Sequence, residues 1–168
     1  MVSLRPATPG DAGLLRRWEQ DPGVIACGAA SDDWQWETEL PKSHDWREQL
    51  IAEVDGRPIG FIQIIDPERE DSQYWGCIDS GHRCIDLWIG EPDARGRGYG
   101  TQMMQQAIER CFADPGVHTL LVDPVDSNTD ARRFYEALGF EYVVRRCLGD
   151  DACSVYKLRR PADTRGHA

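Results

Sequence analysis

Apolar and polar positions change period along this chain in a way that separates strands from helices. Val2 to Arg5 is a short β-prone run. Thr8-Pro9-Gly10-Asp11 follows with a helix-start pattern: a capping threonine, proline in the first turn and an acid three residues on. Leu14, Leu15 and Trp18 then recur at helical spacing. Residues from Asp21 to about His44 have no clean period and include Asp32, Asp33, Trp34, Trp36, Glu37 and Glu39, a composition that suits either a second helix with loops or a mobile flap. Gln49 to Ile65 holds two β-rich runs split by Asp55-Gly56, a pair favoured in tight hairpin turns, so two antiparallel strands are expected. A polar, acidic loop from Asp66 to Gly81 precedes a further strand, Arg83 to Gly90.

The second half alternates more regularly. Met103, Met104, Ala107, Ile108, Cys111 and Phe112 form an apolar stripe at helical spacing within Tyr99 to Phe112. Val117 to Val122 is a compact apolar run suited to a buried strand. Ser127-Asn128 introduces a helix whose Ala131, Phe134, Tyr135 and Leu138 share a face, and Gly139 stops it. Phe140 to Cys147 and Ala152 to Leu158, separated by Gly149-Asp150-Asp151, predict a closing hairpin. This order of elements argues for an α/β sheet with helices on both faces.

With 168 residues, the chain has the length of one domain, expected over 1–160 with a polar tail over 161–168. The first residues lack the apolar run of a signal peptide and no segment has the length needed to span a bilayer, so a cytoplasmic location is expected. The 29 acidic and 19 basic residues leave a net charge of -10, which disfavours nucleic acid and anionic membranes as partners and favours cations. The six cysteines include no C-x-x-C pair and the four histidines are dispersed, so neither a metal site nor a disulfide framework is indicated.

The segment Arg95-Gly96-Arg97-Gly98-Tyr99-Gly100 follows a strand and opens a helix, placing main-chain amides at a positive helix end, an arrangement suited to phosphate. It lacks the Gly-Lys-Ser/Thr ending of a nucleoside triphosphatase and the G-x-G-x-x-G spacing of a dinucleotide site. Glycines that merely ease a tight turn are the alternative. Asp86 stands between Ile85 and Leu87 in an apolar strand, where an unpaired carboxylate would be costly to bury. It is either ion-paired with an arginine such as Arg83 or a ligand for a substrate ammonium. Asp123, ending the next strand, either shares that cleft or begins the Asp-Pro turn.

Arg95, Gly98 and Gly100 match the Arg/Gln-x-x-Gly-x-Gly/Ala pattern of the GNAT superfamily of N-acetyltransferases, and Asp123-Pro124, Ser127-Asn128, Ala131 and Phe134 to Phe140 resemble its second signature. The resemblance implies a mixed central sheet of about seven strands, splayed between the fourth and fifth. It implies acetyl-coenzyme A as co-substrate, held by Trp88, Ile89, Arg95, Gly96, Arg97, Gly98, Tyr99, Gly100, Thr101, Asn128, Ala131 and Tyr135. Tyr135 would protonate the coenzyme A thiolate, and a free amide near Leu87, Trp88 and Ile89 would stabilise the oxyanion.

Ile85-Asp86, Pro58-Ile59-Gly60 with Gln63, Tyr74-Trp75 and Asp123-Pro124 together resemble the aminoglycoside 6'-N-acetyltransferases, a subset that modifies polycationic antibiotics. That likeness implies a cationic small-molecule substrate contacted by Trp34, Gln63, Tyr74, Trp75, Asp86 and Asp123, with Asp86 at the reacting amine, in a monomer or homodimer. The aromatic pair is Tyr-Trp where the subset has Trp-Trp. Two other readings are an acyltransferase for another amine or a hydroxylamine, such as a siderophore intermediate, and a non-catalytic module that binds coenzyme A.

Overall fold

The computed structural model describes residues 1–27, 34–148 and 151–162. Its strands are β1 (Val2–Pro6), β2 (Arg47–Val54), β3 (Arg57–Ile65), β4 (His82–Ile89), β5 (Thr119–Val122), β6 (Glu141–Leu148) and β7 (Asp151–Arg159). Its helices are α1 (Ala12–Glu19), α2 (Pro22–Ala26), α3 (Trp36–Glu39), α4 (Tyr99–Phe112) and α5 (Thr129–Ala137). All seven strands belong to one sheet in the order β1-β2-β3-β4-β5-β7-β6.

The β2–β3 hairpin turns where the composition predicts. Asp55 and Gly56 both adopt left-handed backbone, at φ 51° and 76°, the twist that joins two antiparallel strands through two residues. The start of the first helical segment is likewise local: the Asp11 carboxylate accepts the Thr8 amide at 2.7 Å, and Arg5 clamps the same carboxylate with two bonds of 2.8 Å.

Alternation along the central strands divides the core. Ile62, Ile64, Ile85, Leu120 and Val122 meet Met104, Ala107 and Cys111 of α4 and Tyr135 of α5 on one face. Ile51, Phe61 and Trp88 meet Leu15 and Trp18 of α1, Val24 of α2 and Trp36 of α3 on the other. Cys84 and Cys111 are buried hydrophobes as expected; burial pushes both thiols up, Cys111 to about 12.

Among its described residues, the stretch without a period contains two helices of five and four residues, too short to print a 3.6-residue repeat. Asp21 starts the first by accepting the Gly23 amide at 2.9 Å. Asp32, Asp33, the residues 149–150 of the expected final turn and 163–168 of the tail lie outside the described residues. The expected Arg83 partner for Asp86 is not what the fold supplies. Three residues apart on a strand, the two side chains leave opposite faces, and Arg83 sits 3.3 Å from Asp66 and 3.6 Å from Asp114.

Candidate active site

β4 and β5 pair in parallel only through His82–Thr119, Arg83–Leu120 and Cys84–Leu121. β4 continues to Ile89 along β3 alone. The Gly90 amide donates to Ile59 of β3 at 2.9 Å, so strand alternation turns the main-chain groups of Leu87 and Ile89 toward the side that β5 has left. Those of Trp88 face β3, and its indole is buried in an aromatic cluster with Phe61 at 4.6 Å and Trp34 at 5.4 Å between ring centres.

Beyond β4, the chain makes a 3-10 turn, Pro92–Ala94, and enters α4 through Gly96 and Gly98, at φ 68° and 81°. A Cβ on either glycine would meet nothing within 4 Å. Backbone conformation therefore demands glycine here, while the space around the turn stays open. Gly98 brings no capping side chain, and the amides of Tyr99, Gly100 and Thr101 open the helix as donors at the positive end of its dipole. An anionic group of a ligand fits this turn. Arg97 is exposed beside it.

Two residues expected at the cofactor hold the frame around that turn. Arg95 donates from Nε and Nη2 to the Ile89 carbonyl at 3.1 and 2.9 Å, and from Nη2 to Asp21 Oδ1 at 2.6 Å. The guanidinium holds the Asp21 carboxyl below the usual carboxylate range, with help from the Gly23 amide. Asn128 caps α5 by accepting the Ala131 amide at 3.1 Å, and its Nδ2 donates to the Ala26 carbonyl at 3.3 Å. Asn128 and Ala131 thus mark the point where α5 begins against the end of α2.

On the face bearing α1 to α3 lies a cavity of about 520 Å³. Trp34, Gln63, Tyr74, Trp75, Asp86 and Asp123, the residues expected at a substrate, all line it. Trp34 stacks on Trp36 at 5.0 Å with the rings 4° from parallel. Tyr74 is 43 % exposed and its hydroxyl donates to Asp123 Oδ2, whereas Trp75 is buried against Cys84, Leu121 and Val155. Gln63, itself buried, donates to Asp86 Oδ2 at 3.4 Å.

Several lining residues were not anticipated. Glu70 and Asp71 add carboxylates. Elsewhere on the wall, Glu39 bridges Lys42 at 2.7 Å and Arg47 at 3.1 Å. Gln49 lies on the face of β2 that buries Ile51, and a polar residue at an inward position was the available signal.

Tyr135 is buried between Phe134 and Phe140, with ring centres 5.2 and 5.6 Å away. Burial pushes its phenol up, and Asp86 and Asp123 push it the same way, so it stays protonated through the neutral range. Among the described residues no cluster of three His, Cys, Asp or Glu could hold a metal, and no helix is long and apolar enough to cross a membrane.

Residues 8–146 match the family model described as an acetyltransferase (GNAT) domain. The aminoglycoside N(6')-acetyltransferase type 1 of Klebsiella pneumoniae is 30% identical over 154 residues, covering 83% of this chain and 74% of that protein. The lysine N-acyltransferase MbtK of Mycolicibacterium paratuberculosis is 25% identical over 177 residues, 97% of this chain and 76% of its own length. A solved structure of AAC(6')-Ib with ribostamycin and coenzyme A superposes with a TM-score of 0.86 at 27% identity, covering 99% of each chain. The splayed sheet, the glycine turn opening α4 and these likenesses converge: the chain belongs to the GNAT family and is an acetyl-coenzyme A-dependent acetyltransferase.

Proposed function

We propose that the protein acetylates the 6'-amine of aminoglycoside antibiotics by direct transfer within a ternary complex. The observation that carries this reading is the cavity wall, where Asp86, Asp123, Glu70 and Asp71 stand with Tyr74, Trp34 and Trp75. A substrate bearing several ammonium groups needs several carboxylates, and aromatic faces suit sugar rings and cations. The net charge of -10 draws such a ligand in. A relative 30% identical carries the name of that activity.

Acetyl-coenzyme A supplies an acetyl group activated as a thioester. The amides of Gly96, Gly98, Tyr99, Gly100 and Thr101 bind its pyrophosphate, with Arg97 alongside, and the main-chain groups of Leu87 and the Ile89 amide hold the arm and acetyl group in the gap between β4 and β5. Arg95 and Asn128 shape the walls of that gap through Ile89, Asp21 and Ala26. Asp86 holds the substrate ammonium and takes its proton, which frees the lone pair for attack on the thioester carbon. A Leu87 or Ile89 amide steadies the oxyanion. As the C–S bond breaks, Tyr135 gives its proton to the departing thiolate and is reprotonated by the second proton that the acetylated nitrogen sheds.

A second substrate class has one specific observation in its favour. Lys42 and Arg47 share the cavity with the acids, and a lysine-like substrate presents a carboxylate as well as an amine. MbtK relatives carry the name of a lysine acyltransferase. Thiol release from acetyl-coenzyme A separates these readings when measured on aminoglycosides with and without a free 6'-amine and on lysine and its hydroxylamine. Turnover confined to free 6'-amines is expected. Turnover on lysine alone would replace the substrate, and coenzyme binding without turnover on any amine would overturn both readings.

A further inference from the structure

Gln49, Gln63 and Asp86 form one row across three strands: Gln49 is the register partner of Gln63 in β2–β3, and Gln63 of Asp86 in β3–β4. Residues opposite one another in adjacent antiparallel strands project from the same face. The row is hydrogen-bonded along its length, Gln49 Nε2 to Gln63 Oε1 at 3.0 Å and Gln63 Nε2 to Asp86 Oδ2 at 3.4 Å.

Chemistry fixes the direction of this row. An ionised carboxylate only accepts, so Gln63 must turn its NH2 group toward Asp86 and its carbonyl toward Gln49, and Gln49 must donate. A reversed Gln63 amide would aim its carbonyl at the carboxylate, and Gln63 is 5% exposed, with little water to relieve the clash. The 3.4 Å step is long for a hydrogen bond, so the Gln63 grip on Asp86 depends on where the amide is held. Among the described residues, the bond from Gln49 is what distinguishes the two ends of that amide from the far side.

We infer that Gln49 is a positioning residue which, acting through Gln63, sets the orientation of Asp86 for transfer. The inference rests on the amine-handling role proposed for Asp86. It assigns to a β2 residue a part in the reaction that neither the glycine turn nor the acid wall supplies.

A double-mutant cycle with Asp86→Asn tests it. Gln49→Glu is nearly isosteric, but its carboxylate accepts from the Gln63 NH2 group and reverses the amide. Gln49→Met removes the bond without reversing it. The expected order of kcat is native, then Gln49→Met, then Gln49→Glu, the last lower by about tenfold, the loss of one hydrogen bond to a charged group. Affinity for acetyl-coenzyme A stays unchanged. In the residual turnover of Asp86→Asn, whose amide tolerates either orientation of Gln63, adding Gln49→Glu has no further effect.

An equal loss in both backgrounds, a native kcat in Gln49→Glu, or a change confined to the KM of the amine would overturn the positioning role while leaving that of Asp86 standing. Full turnover in Asp86→Asn itself would remove the Asp86 role and this inference with it. If Gln49→Glu fails to fold, Gln49→Met completes the same cycle.

Discussion

The Tyr74 hydroxyl donates to Asp123 Oδ2 at 2.8 Å, tying the acidic loop after β3 to the end of β5 across the cavity that both residues line. Partial desolvation and the Asp123 charge push the phenol up, so it remains a donor through the neutral range. Tyr74→Phe keeps the ring and releases the carboxylate. Steady-state kinetics should show KM for the amine rising about fivefold, the equivalent of one hydrogen bond near 1 kcal/mol, with kcat changed less. An unchanged KM would mean that Asp123 holds its position without the tyrosine.

Tyr135→Phe should leave the packing against Phe134 and Phe140 intact and remove only the proton donor. Thiol release is expected to fall by about a hundredfold, the lower range for general acid catalysis, at unchanged coenzyme A affinity. Native rates would reduce Tyr135 to a core aromatic.

The same chemical change should have opposite signs at two glycines. Gly98, at φ 81°, starts α4, and Gly98→Ala forces a side chain into left-handed backbone at a cost of about 1–2 kcal/mol. Coenzyme A affinity falls as the turn distorts. Gly13 lies within α1, and a Cβ there would meet nothing within 4 Å. Gly13→Ala is expected to stabilise the protein by about 0.5–1 kcal/mol without touching affinity. Thermal melts with and without coenzyme A read both effects.

Asp11 gives a pH-dependent stability. The Arg5 hydrogen bonds hold its carboxyl below the usual range, aided by the Thr8 amide. Its folded-state pKa is thus below its unfolded value of about 3.9. Its contribution is present above that value and lost as pH falls through the folded pKa. Asp11→Ala should cost about 1–2 kcal/mol at neutral pH, with the difference from the native protein shrinking below about pH 4 in denaturant titrations.

Signals carried by neighbouring residues were legible in the chain. Asp55-Gly56 specified its hairpin, and the stripe from Met103 to Phe112 specified α4. The residues expected at the substrate do converge on one cavity, because Gln63, Asp86 and Asp123 follow from strand alternation and strand ends. Long-range placement was not legible. The Arg95 side chain reaches Asp21 across 74 positions, which no local pattern encodes. Trp88 was expected at the cofactor through its main chain, yet the parity set by Gly90 turns that group to β3. Alternation with Ile51 marks Gln49 as an inward polar residue, but only the β2–β3 register sets it opposite Gln63.

Only three register pairs join β4 to β5, so within the sheet the molecule is a book of two leaves with a short spine. One leaf carries Gln49, Gln63 and Asp86; the other leads into Asp123 and the helix of Tyr135. A coenzyme seated along the opening, as proposed above, would bridge the two leaves where the ladder is missing. At a hundredfold its dissociation constant, such a ligand adds about 2.7 kcal/mol to the folded state. On that proposal, resistance to unfolding and to proteolysis would rise and fall with the supply of the thioester.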